Sequence, residues 1–169
     1  MRKNLVLLGM MGVGKTTLGK VFAHKYKLRF IDIDSRIEKE NSMSINKIFK
    51  TKGEKFFRLK EEIIALNALD EKNSVIALGG GAFVNEKIRE KVLSLAISIW
   101  LDMNISLLGV RLKKSKIRPL LKSNNIRDEL EKIYEKRKNF YNLANYKIDC
   151  DKLEIKEILE KITKIYENK

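Results

Sequence analysis

Apolar positions along this chain follow two alternating periods. Short, nearly continuous apolar runs at Asn4–Leu8, Ser74–Leu78, Leu95–Leu101 and Tyr146–Cys150 read as buried strands, with Trp100 in the core. Between them apolar residues recur three or four positions apart, the spacing of one helical face. That pattern predicts a helix carrying Leu18, Val21, Phe22 and Tyr26, and a longer one over Gly53–Leu69 that turns Phe56, Phe57, Ile63, Ile64, Ala68 and Leu69 inward. It predicts further helices over Asn85–Leu93, with Asn85 as a candidate N-cap, and over Ile126–Ala144, with Leu130, Ile133, Phe140 and Tyr141. A last amphipathic helix spans Glu154–Glu167, with Ile155, Ile158, Leu159, Ile162 and Ile165 on one face. Ser35–Thr51 reads as one or two short helices. Arg29–Asp34 reads as a strand with Asp32 and Asp34 on one side and Ile31 and Ile33 on the other. Strands alternating with helices predict an α/β fold, a parallel five-stranded sheet covered on both faces.

The first strand and helix are joined by Gly9-Met10-Met11-Gly12-Val13-Gly14-Lys15-Thr16-Thr17, which fits G-x-x-x-x-G-K-[ST] in the strand-turn-helix context that motif requires. Its glycines let the backbone turn tightly and point successive N–H groups at an anion, and the helix adds its own free N–H groups and positive dipole end. Gly12, Val13, Gly14, Lys15, Thr16 and Thr17 are the candidate ATP-binding residues. Lys15 has the reach for the terminal phosphates, and the Thr16 hydroxyl suits Mg²⁺.

Two carboxylates projecting together at a strand end repel unless a cation or hydroxyl sits between them. Asp32 and Asp34 therefore mark a metal and substrate site, the alternative for Asp34 being a helix N-cap. Arg58 follows two phenylalanines. It is either a surface charge held by Glu61 or Glu62, or a guanidinium fixed by those acids to grip a substrate carboxylate in bidentate fashion. Gly79-Gly80-Gly81 would weaken any regular element and makes sense where backbone passes close to a ligand, although a flexible turn reads the same way. Ile105–Leu112 starts as a helix and gives way to Lys113-Lys114-Ser115-Lys116-Ile117-Arg118-Pro119, with the chain's only proline. A basic segment with a stiff joint reads as a lid over polyphosphate or as an ordinary surface loop.

Composition changes this picture little. A length of 169 residues with 44% hydrophobic content suits one domain spanning 1–169. No apolar run approaches the ~20 residues that cross a bilayer, and the N-terminal run breaks into the phosphate loop, so neither a membrane span nor a signal peptide is expected. The lone Cys150 has no histidine nearby and reads as an inert thiol in a reducing cytoplasm. His24 falls on the side of the first helix away from the loop, and no Cys/His cluster supports zinc. The formal charge of +14 is spread without a basic block, so it reads as solvated surface rather than a nucleic-acid interface. Neither Asn-Lys-x-Asp nor Asp-x-x-Gly occurs, which sets a regulatory GTPase aside.

Taken together, the motifs resemble those of the shikimate kinase family along essentially the whole chain. They are the phosphate loop, Asp32-Ile33-Asp34, Gly53-Glu54-Lys55-Phe56-Phe57-Arg58-Leu59-Lys60-Glu61, Gly79-Gly80-Gly81, Arg118-Pro119-Leu120-Leu121, and Arg137 before Tyr141. The resemblance implies a P-loop kinase three-layer sandwich with a mobile lid near 109–124 and a substrate-binding helical region near 34–60. It implies transfer of the ATP γ-phosphoryl to the 3-hydroxyl of shikimate by a cytoplasmic enzyme, expected as a monomer. Asp34 would hold the acceptor hydroxyl. Arg58 and Arg137 would bind the shikimate carboxylate, with Gly79, Gly80 and Gly81 seating the ring. Lys15 and Arg118 would act on the transferring phosphate, Arg111 would flank the adenine, and Asp32 beside Thr16 would hold Mg²⁺. Lys113, Lys114 and Lys116 make the lid segment more basic than is usual in the family.

Overall fold

The computed structural model describes residues 3–114 and 126–169. Five parallel strands form one sheet in the order β2-β3-β1-β4-β5: β1 (Asn4–Leu8), β2 (Arg29–Asp32), β3 (Ser74–Ala77), β4 (Ala96–Asp102) and β5 (Tyr146–Asp149). Strands β1 and β3 are buried at every position, as expected where helices cover both faces of a parallel sheet. One polar side chain ties this centre together. Asn4, at the start of β1, donates to the carbonyls of Leu69 and Glu71 and accepts from the Ser74 N–H, so every strong group it buries has a partner.

The helices are α1 (Lys15–Tyr26), α2 (Ile33–Asn41), α3 (Ile45–Asp70), α4 (Glu86–Leu95), α5 (Ile105–Lys114), α6 (Ile126–Tyr141) and α7 (Ile155–Glu167). Local chemistry sets several ends. The Asn85 side chain accepts from the Ile88 N–H and starts α4, as expected. Gly53, at φ 79°, breaks α3 just before the Phe-Phe-Arg segment, so the short and the long helix expected there meet across a kink. A single 3₁₀ turn over Ala82–Val84, not foreseen, follows the glycine triplet.

The expected second strand is corrected at its end. It stops at Asp32, and Ile33 and Asp34 belong to the first turn of α2. The cause is capping: Asp32 Oδ1 accepts from the Ser35 N–H at 3.1 Å, which starts the helix two residues earlier than strict alternation suggests. Val21, Ile63 and Ile155, expected in the core, are exposed. Each lies at the margin of its helix's apolar stripe while Phe22, Ile64 and Ile158 are buried. Trp100 and Cys150 are buried and His24 is exposed, as expected. Burial first, then the charges of Asp149 and Asp102, push the Cys150 thiol up to about 12, which keeps it protonated and unreactive.

Because all strands run the same way, their carboxyl ends meet along one edge, where open α/β sheets hold ligands. From that edge rise the phosphate loop after β1, the Asp32 cap after β2, and the glycine triplet after β3.

Candidate active site

A cleft of about 490 Å³ opens along this edge. Its one wall is the phosphate loop with Lys15, Thr16 and Thr17; its other is built from Asp34, Arg58, Glu61, Gly80, Gly81 and Arg137.

The loop's path depends on Gly9. It adopts φ 134°, and a β-carbon there would lie 2.4 Å from the Leu101 carbonyl oxygen, so both conformation and space exclude a side chain. The Lys15 ammonium donates to the carbonyls of Gly9 and Met10 at 2.8 and 3.0 Å, which holds it across the loop's mouth. Helix α5 packs on the same loop. Leu112 comes within 3.0 Å of the position a β-carbon on Gly12 would take, and Arg111, exposed, reaches the Val13 carbonyl at 3.5 Å. Thr16, in the first turn of α1, donates from its hydroxyl to Asp32 Oδ2 at 2.6 Å. A hydroxyl and a single carboxylate side by side at a phosphate loop fit Mg²⁺, which binds through one or two protein oxygens plus phosphates and water. Among the described residues no cluster of three or more acidic, histidine or cysteine side chains offers an all-protein metal cage.

The opposite wall is organised by the glycine triplet. A β-carbon on Gly79 would lie 2.7 Å from both Asp34 Oδ1 and Glu61 Oε1. One on Gly80 would lie 3.1 Å from an Arg137 nitrogen, and one on Gly81 2.6 Å from Arg58 Nη1. Gly79 therefore leaves room for two carboxylates and Gly80 and Gly81 for one guanidinium each, and the three together bring these four groups, from α2, α3 and α6, onto one small floor. The triplet is thus closely packed under charged side chains rather than a free turn.

Arg58 is held from both sides. Its Nη1 donates to Glu61 Oε2 at 2.7 Å, and Glu54, one turn earlier, accepts from Nε and Nη2 at 3.3 Å. Of the two acids considered for this role only Glu61 takes it; Glu62 instead accepts from Asn85 and Lys87. Glu54 was not anticipated, although its i−4 spacing was visible. The two anchors differ in worth. Glu54 is mostly exposed, so its pair contributes little. Glu61 is 2% exposed and could not stay charged without Arg58. Burial pushes the Glu61 carboxyl above the ordinary range, against the pull of Arg58, and the charge of Asp34 adds to the push. Burial works against the Arg58 charge too, but Glu61 and Glu54 outweigh it and leave the guanidinium more strongly protonated than usual.

Arg137 stands on α6 one turn before Tyr141, over Gly80. Phe49 and Phe57, with ring centroids 4.7 Å apart, give the cleft an apolar side next to these charges. Of the expected residues, Lys15, Thr16, Asp32, Asp34, Arg58, Gly80, Gly81 and Arg137 converge on the cleft. Gly79 lies just beneath it, and Arg111 flanks the phosphate loop. Arg118 and the expected lid from 115 onward fall outside the described residues; 109–114 form the end of α5.

Comparison with known proteins shows the family. The sequence profile of the family described as shikimate kinase matches residues 11–167. The shikimate kinase of Alkaliphilus oremlandii is 42% identical over 166 residues, covering 96% of this chain and 98% of its own length. That of Bacillus subtilis is 39% identical over 162 residues, covering 95% and 87%. A solved structure of shikimate kinase from Acinetobacter baumannii in complex with shikimate superposes with a TM-score of 0.93 at 32% identity, over 100% of this chain and 96% of that one. With the phosphate loop, the glycine floor and its paired arginines all in place, the chain belongs to the shikimate kinase family.

Proposed function

We propose that the chain transfers the γ-phosphoryl group of ATP to the 3-hydroxyl of shikimate, with Asp34, Arg58 and Arg137 as the acceptor site and the phosphate loop as the donor site. The observation that supports this most directly is the floor over Gly79–Gly81. There two guanidiniums suited to a carboxylate stand beside a carboxylate suited to a hydroxyl, across one cleft from Lys15. In-line phosphoryl transfer leaves the protein mainly positioning and charge neutralisation. Arg58 and Arg137 pin the shikimate carboxylate, which swings the ring's hydroxyl toward Asp34. Asp34 accepts a hydrogen bond from that hydroxyl, orients its oxygen toward the γ-phosphorus, and takes its proton as the ester forms. Lys15 stabilises the charge that builds on the transferring group and on ADP. Thr16 and Asp32 would hold Mg²⁺, which would supply positive charge against the polyphosphate. Arg111 flanks the adenine, and Arg118 acts on the phosphate from a lid near 109–124. The chain works as one kinase domain with the helical region near 34–60 as its acceptor-binding part, as a monomer and in the cytoplasm. No helix among the described residues is long and apolar enough to cross a membrane.

The deciding assay is release of ADP from Mg²⁺-ATP with and without shikimate, alongside gluconate and nucleoside monophosphates. ADP release that depends on shikimate, stops with EDTA and yields a C3 phosphate ester is expected. Faster turnover of another acceptor would sink the proposal. Gly79→Ala supplies a sharper local test. Gly79 has no left-handed φ, so alanine strains no backbone, but its methyl would drive Asp34 and Glu61 apart. A displacement of about 1 Å at a reacting group costs roughly 10²-fold. We expect kcat to fall by that order with the ATP KM little changed; a normal kcat would show that Asp34 does not orient the acceptor.

A further inference from the structure

Tyr141 closes α6 as one of the largest fully buried side chains, 1% exposed, and the phosphoryl transfer proposed above gives it no task. Its ring packs against Trp100 at 5.8 Å between centroids. Its hydroxyl, however, lies under the cleft floor. It donates to the carbonyl of Gly80 and comes within 3.8 Å of the Met10 sulfur in the phosphate loop. Arg137, one helical turn back, stands over the same peptide: a β-carbon on Gly80 would lie 3.1 Å from its Nη1. Gly80 also abuts the loop: a β-carbon there would lie 3.6 Å from the Met11 nitrogen and 3.7 Å from the Gly9 carbonyl oxygen.

From this junction we infer that Tyr141 is a positioning residue for the acceptor, its hydroxyl fixing the tilt of the Gly80 peptide over which the Arg137 guanidinium lies. A peptide is a rigid plane, so holding the Gly80 carbonyl down also fixes the direction of the N–H at the other end of that plane. A guanidinium seated over a fixed peptide loses less freedom when a carboxylate arrives. The hydroxyl stays protonated through the working range. Burial pushes it above the ordinary phenol value, although Arg137 pulls the other way, so the donor is always present.

The inference rests on shikimate being the acceptor, and its test separates the two. Tyr141→Phe keeps the ring against Trp100 and removes one oxygen. With parent enzyme active on shikimate, the variant should show a shikimate KM raised about tenfold, the equivalent of one buried hydrogen bond, and an ATP KM within about twofold of the parent, the order by which repeat determinations differ, set well below a tenfold factor. The double variant Tyr141→Phe/Arg137→Gln should lose less shikimate kcat/KM than the product of the two single losses, because both side chains meet at the Gly80 peptide. Unchanged shikimate KM with only a lowered thermal midpoint, equal rises in both KM values, or additive losses in the double variant would each overturn the inference. If Tyr141→Phe does not fold, Tyr141→Met, which fills the space without a hydroxyl donor, carries the same comparison. A parent enzyme without activity on shikimate would instead refute the acceptor assignment.

Discussion

Replacing Lys15 with alanine should lower kcat by roughly 10²–10³-fold, the usual loss when one charge stabilising the transition state is removed. The fold should survive. The ammonium bridges two loop carbonyls, Gly9 and Met10, at the cleft mouth, and neither belongs to the sheet. Each such bond contributes about 1 kcal/mol net, which for a domain of this size moves the thermal midpoint by only a few degrees. Steady-state rates with saturating ATP and shikimate, read beside a circular-dichroism melt, give the comparison. A variant that turns over at a fifth of the parent rate or better would remove Lys15 from the chemistry. A collapsed melt would mean that the bonds to Gly9 and Met10 matter for folding rather than for phosphate.

Arg58→Ala should act on the other substrate. Hydrogen bonds to a charged group are worth about 1.5–3 kcal/mol, so losing the Arg58 share of the carboxylate clamp should raise the shikimate KM roughly 10- to 100-fold while the ATP KM stays near the parent value. Equal weakening of both would refute the assignment. A second signature follows from Glu61, which the variant leaves buried without its main partner. The Glu61 carboxyl already lies above its ordinary value of 4.5 in the folded protein. A group raised in this way contributes stability below its unfolded value and loses that contribution as pH rises through the folded value. Removing Arg58 removes the strongest pull in the opposite direction and widens that window upward. The midpoint gap between parent and variant should therefore grow from pH 5 to pH 8. Urea melts at the two pH values measure it, and a constant gap would place Glu61 outside the Arg58 pair.

Much of this site was legible because its chemistry is local. The phosphate loop announces itself by spacing, and Arg58 with Glu61 sits within one helical turn, so that pair was foreseen even though its use stayed open. What escaped depends on distance along the chain. That Gly79, Gly80 and Gly81 would lie under side chains from three different helices needs the parallel register of β2 and β3 and the position of α6. Tyr141 read as an apolar face residue and as the marker after Arg137, with no contact of its own, because nothing near it in sequence shows a carbonyl sixty-one positions away. The misplaced end of β2 has another origin. Ile31-Asp32-Ile33-Asp34 alternates perfectly, so period alone favours extension, and the competing cap, an Asp three residues before an N–H, was offered to Asp34 rather than to Asp32.

The place of β1 in the middle of the sheet also bears on biogenesis. Its neighbours are residues 74–77 and 96–102, so both edges of this segment, apolar but for Asn4, stay bare until those residues leave the ribosome. At about 5–20 residues per second that exposure lasts on the order of ten seconds. Prematurely terminated polypeptides that stop short of residue 96 would carry the phosphate loop yet have no second flank to shield it, making them clients for chaperones and proteases rather than half-built enzymes.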